Sequence, residues 1–143
     1  VRPQIESLPK PDNLDVRLLG EHPYAKLAEI CSQCGILAYP TLFDEWGLVV
    51  NEAMSAGMPV LGSLYSQAVE THVADGKTGW TFHTDKDDEL DRAIEAALST
   101  DEGQLNAMRT ACRDEVRHLT PDYAADCFMK AIRFVLQPRE SRA

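Results

Sequence analysis

Residues 41–59 read TLFDEWGLVVNEAMSAGMP, and they lead from a buried strand into a buried helix. The run before them, GILAYP at residues 35–40, is almost continuously apolar, which is typical of a strand covered on both faces. Residues 46–56 predict a helix closed by Gly57, and residues 58–62 predict the next strand. A strand, a helix and a second strand in this order indicate a parallel βαβ unit.

The same alternation extends in both directions along the chain. Further short apolar runs predict strands at residues 16–19 and 80–82. Helices with one apolar face are predicted at residues 23–34, 66–74, 87–98, 102–119 and 121–136. Short strands that alternate with helices predict an α/β fold, a Rossmann-like parallel sheet with helices on both faces.

The length of 143 residues fits a single domain that spans residues 1–143. Within it we expect a Pro-rich lead-in segment at residues 1–13, an α/β core at residues 14–100 and C-terminal helices at residues 101–143. Four strands are few for a doubly wound domain, and the opening βαβ unit that carries the phosphate site in such folds is short or missing. The sequence therefore predicts part of a larger α/β protein.

Composition excludes several functional classes. Lysine and arginine number 14 against 23 aspartates and glutamates, so the net charge of −9 argues against nucleic-acid binding. No apolar run approaches the ~18 residues that span a bilayer, and the first ten residues do not resemble a signal peptide. Cysteine usage favours a reducing cytoplasm. Cys31 and Cys34, three residues apart on an apolar helix face, are expected to be buried packing residues rather than zinc ligands.

The start of the helix at residues 46–56 is the strongest candidate for a binding site. It follows the carboxyl end of a strand, which is where open α/β sheets bind their ligands. The backbone N–H groups near Gly47, Leu48 and Val49 have no helical partner there, and they suit a phosphate group.

Two carboxylates accompany this helix start. Glu52 is the only charged residue between Trp46 and Val60, and an ionised carboxylate can accept hydrogen bonds from a pair of ligand hydroxyls. Asp44 lies eight residues earlier, in a loop that faces the same crevice. The pattern leaves a second interpretation open for Glu52, in which it faces solvent or pairs with an arginine.

Several ordered motifs in this region resemble the signature of the retaining glycosyltransferases of family 4, which have the GT-B fold. The match begins at Asp44, continues through Trp46-Gly47, and reaches the NEAM segment that contains Glu52. The AGMPV segment at residues 56–60 and the ETHVADGKTG segment at residues 70–79 follow in the family's order. The resemblance covers about residues 15 to 100.

The resemblance implies the donor-binding domain of a hexosyltransferase-type enzyme, which moves a sugar from a nucleotide-diphosphosugar to an acceptor. Asp44 would be the catalytic residue in contact with the transferred sugar, and Glu52 would bind the ribose hydroxyls. Backbone N–H groups of Gly47, Leu48 and Val49 would meet the diphosphate and the sugar. No metal or other cofactor is expected, because a helix terminus and basic side chains neutralise the leaving diphosphate.

Two neighbours of Asp44 complete the expected substrate-binding set. The family usually has Glu at the position of Asp44, and Glu45 would replace the shorter Asp44 if the loop register shifted by one residue. Trp46 packs the helix start in one interpretation and lines the sugar site in another.

The resemblance also implies that parts of the enzyme are absent from this chain. The acceptor domain and the βαβ unit with the diphosphate-binding Arg and Lys are not found, so we expect the chain alone to be inactive. A non-catalytic interaction domain of the GT-B type, or a fragment of a nucleotide-sugar epimerase, is the alternative. We further expect a homodimer through the C-terminal helices, a cytoplasmic location, and peripheral contact with the inner membrane face in the full-length protein.

Overall fold

The chain folds around a small β-sheet, and the computed structural model describes residues 2–136. The strands are β1 (Leu37–Tyr39), β2 (Val60–Ser63) and β3 (Gly79–Phe82). The helices are α1 (Arg2–Glu6), α2 (Tyr24–Ser32), α3 (Leu48–Ser55), α4 (Gln67–His72), α5 (Asp87–Ser99), α6 (Glu102–Val116) and α7 (Pro121–Leu136). Every predicted helix is present, with ends that differ by no more than three residues from the prediction.

The described sheet is parallel throughout. β2 lies at its centre and pairs with β1 on one side and β3 on the other, so that Val60 lies opposite both Leu37 and Gly79. The connection from β1 to β2 passes through α3, and the connection from β2 to β3 passes through α4. The predicted α/β class with a parallel sheet is confirmed.

Two apolar cores lie on opposite faces of the sheet, because neighbouring residues of a strand point to opposite sides. One core joins β2 to helices α3, α4 and α6, and contains Val50, Met54, Val60, Val69, Cys112 and Val116. The other joins β3 to α5 and α6, and contains Trp80, Phe82, Ala93 and Met108. Since α6 contributes to both cores, it holds the two layers together.

One prediction for the N-terminal part is wrong. Residues 16–19 form no strand, and the side chains of Val16 and Leu19 are exposed. An apolar run forms a central parallel strand only where it pairs with a neighbour and is covered on both faces, and this run is not covered. The lead-in segment contains the short helix α1.

Helices α2 and α7 contain no buried residues. The expectation that Cys31 and Cys34 are buried is therefore wrong: Cys31 is half-buried and Cys34 is exposed. On α7 the exposed fractions of Phe128 and Val135 are 71% and 64%. Among residues 2–136, no helix combines the length and the apolar character that a membrane crossing requires.

Candidate functional site

Gly47 precedes the first turn of α3 in a conformation that favours glycine. Its φ is +95°, and a Cβ placed there would lie 2.6 Å from Ser66 Oγ and 3.3 Å from the ring of Tyr39. The chain therefore turns sharply into the helix with its backbone tightly packed. The N–H of Val50 donates to the Gly47 carbonyl at 2.9 Å, so the N–H groups of Leu48 and Val49 are those that the helix start leaves without an intrahelical partner.

Asp44 is fixed in the loop before this turn by three hydrogen bonds. Its Oδ2 accepts from the Tyr39 hydroxyl, and its Oδ1 accepts from the backbone N–H of Trp46 at 3.0 Å. Its own N–H donates to the carbonyl of Tyr65 at 3.0 Å. The half-buried carboxylate is thus oriented by the end of β1 and by the loop itself, and each of its oxygens keeps a further lone pair.

The carboxylate of Asp44 makes the Tyr39 hydroxyl harder to deprotonate. The hydrogen bond to Asp44, together with burial and the charge of Asp44, raises the pKa of Tyr39 to about 12. Tyr39 therefore stays protonated at neutral pH and acts as a hydrogen-bond donor to Asp44. The sequence reasoning missed this contact, although a tyrosine at the end of a strand beside the candidate loop was a visible signal.

Trp46 anchors the loop to α4. Its carbonyl accepts hydrogen bonds from Ser66 Oγ and from the N–H of Ala68, both at 2.8 Å. Its ring packs edge-on against buried His72, with 5.9 Å between the ring centroids. These contacts agree with the interpretation in which Trp46 packs the helix start. Ser66 was also missed, and nothing in its local sequence indicated a contact twenty residues away.

Glu52 lies on the face of α3 that borders a groove of about 590 Å³ between α2, α3 and the end of α6. Leu48, one turn earlier, shares this face and is 71% exposed. The apolar part of the opposite wall comes from Tyr24 and Leu27 of α2. Glu52 is exposed and forms no ion pair within residues 2–136. The pairing with an arginine that the second interpretation allowed is therefore not seen there.

The remaining predicted site residues, Glu45 and Val49, are exposed on either side of Gly47. A shift of the loop by one residue would place Glu45 at the position of Asp44, but it would break all three hydrogen bonds that hold Asp44. The structure therefore brings Asp44 and the first turn of α3 together and sets Glu52 one turn further along the helix.

A polar cluster at the carboxyl ends of β2 and β3 borders the same loop. Tyr65 Oη donates to Asp85 Oδ1 at 2.7 Å, and the Tyr65 ring packs edge-on against His83. His83 Nδ1 lies 2.7 Å from Glu89 Oε2, which also accepts from the backbone N–H of His83 at 3.0 Å. Lys86 adds an ion pair of 3.0 Å to Glu89. These bonds, those of His83 first, lower the pKa of Glu89 from 4.5 to about 2.

Within residues 2–136 no three His, Cys, Asp or Glu side chains are grouped so that they could hold a metal ion.

Comparison with known proteins gives matches over most of the chain. The sequence profile described as "Glycosyl transferases group 1" matches residues 4–119. A sucrose synthase from Denitrovibrio acetiphilus is 38% identical over 77 residues, which cover 54% of this chain and 9% of that protein. A D-inositol 3-phosphate glycosyltransferase from Corynebacterium aurimucosum is 31% identical over 91 residues, or 64% of this chain and 21% of that protein.

The fold also has a match among solved structures. It is similar to sucrose-phosphate synthase from Thermosynechococcus elongatus, with a TM-score of 0.67 and 24% identity over 80% of this chain. The match covers 28% of that structure, so this chain spans less than a third of the length of each of these relatives.

Proposed function

Because the chain belongs to the family of group 1 glycosyltransferases, we propose that it is the donor-binding part of a retaining GT-B enzyme. The enzyme would transfer a hexosyl group from a nucleotide-diphosphosugar to an acceptor. The observation that carries the proposal is the junction at Gly47, where a fixed carboxylate precedes a helix start and a second carboxylate follows one turn later.

Glu52 is proposed to bind the two ribose hydroxyls of the donor. Its carboxylate is exposed beside a groove with apolar walls, and it can accept two hydrogen bonds at once. A vicinal pair of hydroxyls supplies two donors to one carboxylate, so the nucleoside would lie along α3 with its ribose at Glu52.

The helix start is proposed to receive the diphosphate. The N–H groups of Gly47, Leu48 and Val49 lie at the positive end of α3, and the missing side chain of Gly47 lets an oxyanion approach the backbone. The leaving diphosphate would be stabilised there without a metal ion. Because the chain carries a net charge of −9, we expect the rest of the enzyme to supply the cations that strengthen donor binding.

Asp44 is proposed to contact the transferred sugar. Tyr39 and the N–H of Trp46 hold its carboxylate in place, so its free lone pairs are oriented before the donor arrives. Glu45 is proposed to contact the donor from the exposed side of the loop. The enzyme is proposed to be cytoplasmic, without nucleic-acid partners, with its acceptor site and any peripheral membrane contact outside this chain.

Titration calorimetry tests the donor site. The chain is titrated with UDP, GDP and ADP and with their glucose, mannose and N-acetylglucosamine conjugates. The preferred nucleotide should bind the Glu52→Gln variant about ten- to a hundredfold more weakly, because hydrogen bonds to a charged group contribute about 1.5–3 kcal/mol. Glu95→Gln, an exposed carboxylate on α5, is the matched control and should bind like the wild type.

Activity assays in the complete enzyme test the role of Asp44. Asp44→Asn should lower kcat far more than it raises KM, because an interaction with the transferred sugar strengthens in the transition state. Equal donor affinity in wild type and Glu52→Gln, or full activity of Asp44→Asn, would contradict the assignment.

The second candidate is a non-catalytic interaction domain. The exposed apolar side chains of α7 favour it, since exposed apolar surface that is contiguous commonly marks an interface. A complete protein that folds but transfers no sugar from any nucleotide-sugar would support this candidate over the first.

A further inference from the structure

A polar cavity lies at the amino ends of the strands, and Cys31 and Ala56 line both this cavity and the groove beside Glu52. It has a volume of about 280 Å³ and is formed by the end of α2, the segments that precede β1 and β2, and one face of α6. Its lining includes Cys31 and Cys34 on one side and Arg109 and Arg113 on the other.

The two arginines are held against glycines. Arg113 Nη1 occupies the space beside Gly57 that a side chain would fill, since a Cβ there would lie 1.9 Å from this atom. Gly57 also has a φ of +81°. Across the cavity, Arg109 Nη2 lies 3.9 Å from the Cβ position of Gly35. Both guanidinium groups therefore lie against the backbone at the amino ends of the strands.

Neither guanidinium has an acidic partner within residues 2–136. Arg109 Nη1 donates to the neutral Asn106 Oδ1 at 3.3 Å. By contrast, Arg17, Arg92 and Arg117 each pair with an aspartate. In a chain with a net charge of −9, two uncompensated cations at one cavity form a local site for carboxylates.

Cys34 brings a reactive group to the same cavity. The residue is exposed, and its Sγ donates to the carbonyl of Ile30 at 3.3 Å, which keeps the thiol at the end of α2. Cys31 is half-buried beside it, whereas Cys112 is buried in the core. An accessible thiol at the same cavity as two guanidinium groups without an acidic partner combines a nucleophile with cations that suit an anionic reaction partner.

We propose that Cys34 is a site of thiol–disulfide exchange with small peptide disulfides that carry carboxylates, and that Arg109 and Arg113 bind those carboxylates. The Cys34 thiolate attacks one sulfur of the disulfide, and a new S–S bond forms as the original S–S bond breaks. The departing sulfur leaves with the electron pair and takes up the proton that the Cys34 thiol released. The incoming disulfide is itself the oxidant, so the exchange needs no other one.

The test compares disulfides of different charge on the complete chain. Oxidised glutathione is the anionic probe, 2-hydroxyethyl disulfide the neutral one and cystamine the cationic one, and peptide mapping by mass spectrometry gives the rate at each cysteine. At Cys34 the anionic probe should react at least about tenfold faster than the cationic one at low salt. At Cys127, exposed on α7 beside Asp126, the order should be reversed, because the chain is negatively charged overall.

Substitutions and added salt test whether the arginines cause the faster reaction of the anionic probe at Cys34. Arg109→Gln with Arg113→Gln should abolish the anionic preference at Cys34 and leave the rate with the neutral probe unchanged. Arg117→Gln removes an exposed arginine that pairs with Asp114, and as the control it should keep the preference for the anionic probe. In the wild type, 0.5 M NaCl should remove the preference without any substitution. The proposal is overturned if Cys34 and Cys127 show the same order of probes, or if the preference survives either treatment.

Discussion

Gly47 and Gly76 allow the cost of backbone strain to be separated from the cost of a steric clash. Both have positive φ, +95° and +71°, but a Cβ has open space at Gly76 and lies 2.6 Å from Ser66 Oγ at Gly47. Gly76→Ala should cost about 1–2 kcal/mol from the left-handed backbone alone. Gly47→Ala should cost about 2–4 kcal/mol, because the Ser66 hydroxyl must also leave the Trp46 carbonyl. Urea unfolding measures the loss of stability in both variants, and equal losses would contradict the tight packing at Gly47.

Glu89 predicts a stability change at acidic pH. Its folded pKa of about 2 lies below its ordinary value of 4.5, so its contribution to stability is complete above about pH 5 and is lost as the pH falls towards 2. The wild type should therefore lose more stability between pH 5 and pH 2.5 than Glu89→Gln, which cannot titrate. Glu95→Gln on the same helix is the control. Urea unfolding at the two pH values checks this, and parallel losses in wild type and Glu89→Gln would count against it.

For single residues, the sequence identifies the residues of the candidate site better than it identifies their contacts. The glycine at the start of α3 and the acid before it could be identified from their order along the chain. The partners of Asp44 could not, because Tyr39 and Tyr65 come from different strand ends that only the register of the sheet brings together. The roles of Asp44 and Glu52 stay predictions until the donor titration is done.

Among the elements, α6 depends on a capping box at its start. The side chain of Asp101 accepts from the N–H of Gln104 at 2.8 Å, and Gln104 Oε1 accepts from the N–H of Asp101 at 3.3 Å. Asp101→Ala should destabilise the chain by about 1 kcal/mol, whereas Asp101→Asn retains a capping acceptor and should cost less. Since α6 packs into both cores, thermal unfolding by circular dichroism should show one cooperative shift. A loss of α6 helicity without a change in the main transition would contradict its joining role.

The strands show how far an apolar run in the sequence predicts a strand in the structure. The apolar runs at residues 35–40, 58–62 and 80–82 all contain strands that pair with a neighbour and pack against helices, although Ala38 in the middle of β1 is exposed. The run at residues 16–19 has similar composition but remains irregular and exposed. Apolar composition therefore reports the capacity to form a strand, whereas the neighbouring strand and the covering helices decide whether it forms.

For the molecule as a whole, the parallel sheet places Asp44 and the cavity with Cys34 at opposite ends of its strands. All strands end at the edge that carries Asp44 and the start of α3, and all begin at the edge that carries Arg109, Arg113 and Cys34. The groove beside Glu52 and the cavity share Cys31 and Ala56. The donor titration of Arg109→Gln with Arg113→Gln therefore shows whether a change in the cavity is transmitted to the groove.

The predicted homodimer is tested most directly through α7, whose apolar side chains are exposed in the described chain. Phe128 is 71% exposed and Ile132, one turn later, is 39% exposed, so a second copy could bury both in one helix–helix contact. Burial of these apolar side chains would drive the association. Sedimentation equilibrium should therefore show a mass that rises with concentration above 15.9 kDa.

Substitutions on opposite sides of α7 locate the contact. Phe128→Asp should abolish the concentration dependence, because a carboxylate at the centre of an apolar contact would be buried without a partner. Lys130→Gln changes an exposed polar position on the same helix and should leave the association intact. A constant mass of 15.9 kDa for the wild type at all concentrations would show that α7 does not pair with a second copy. Association that persists in Phe128→Asp would place the contact on another surface.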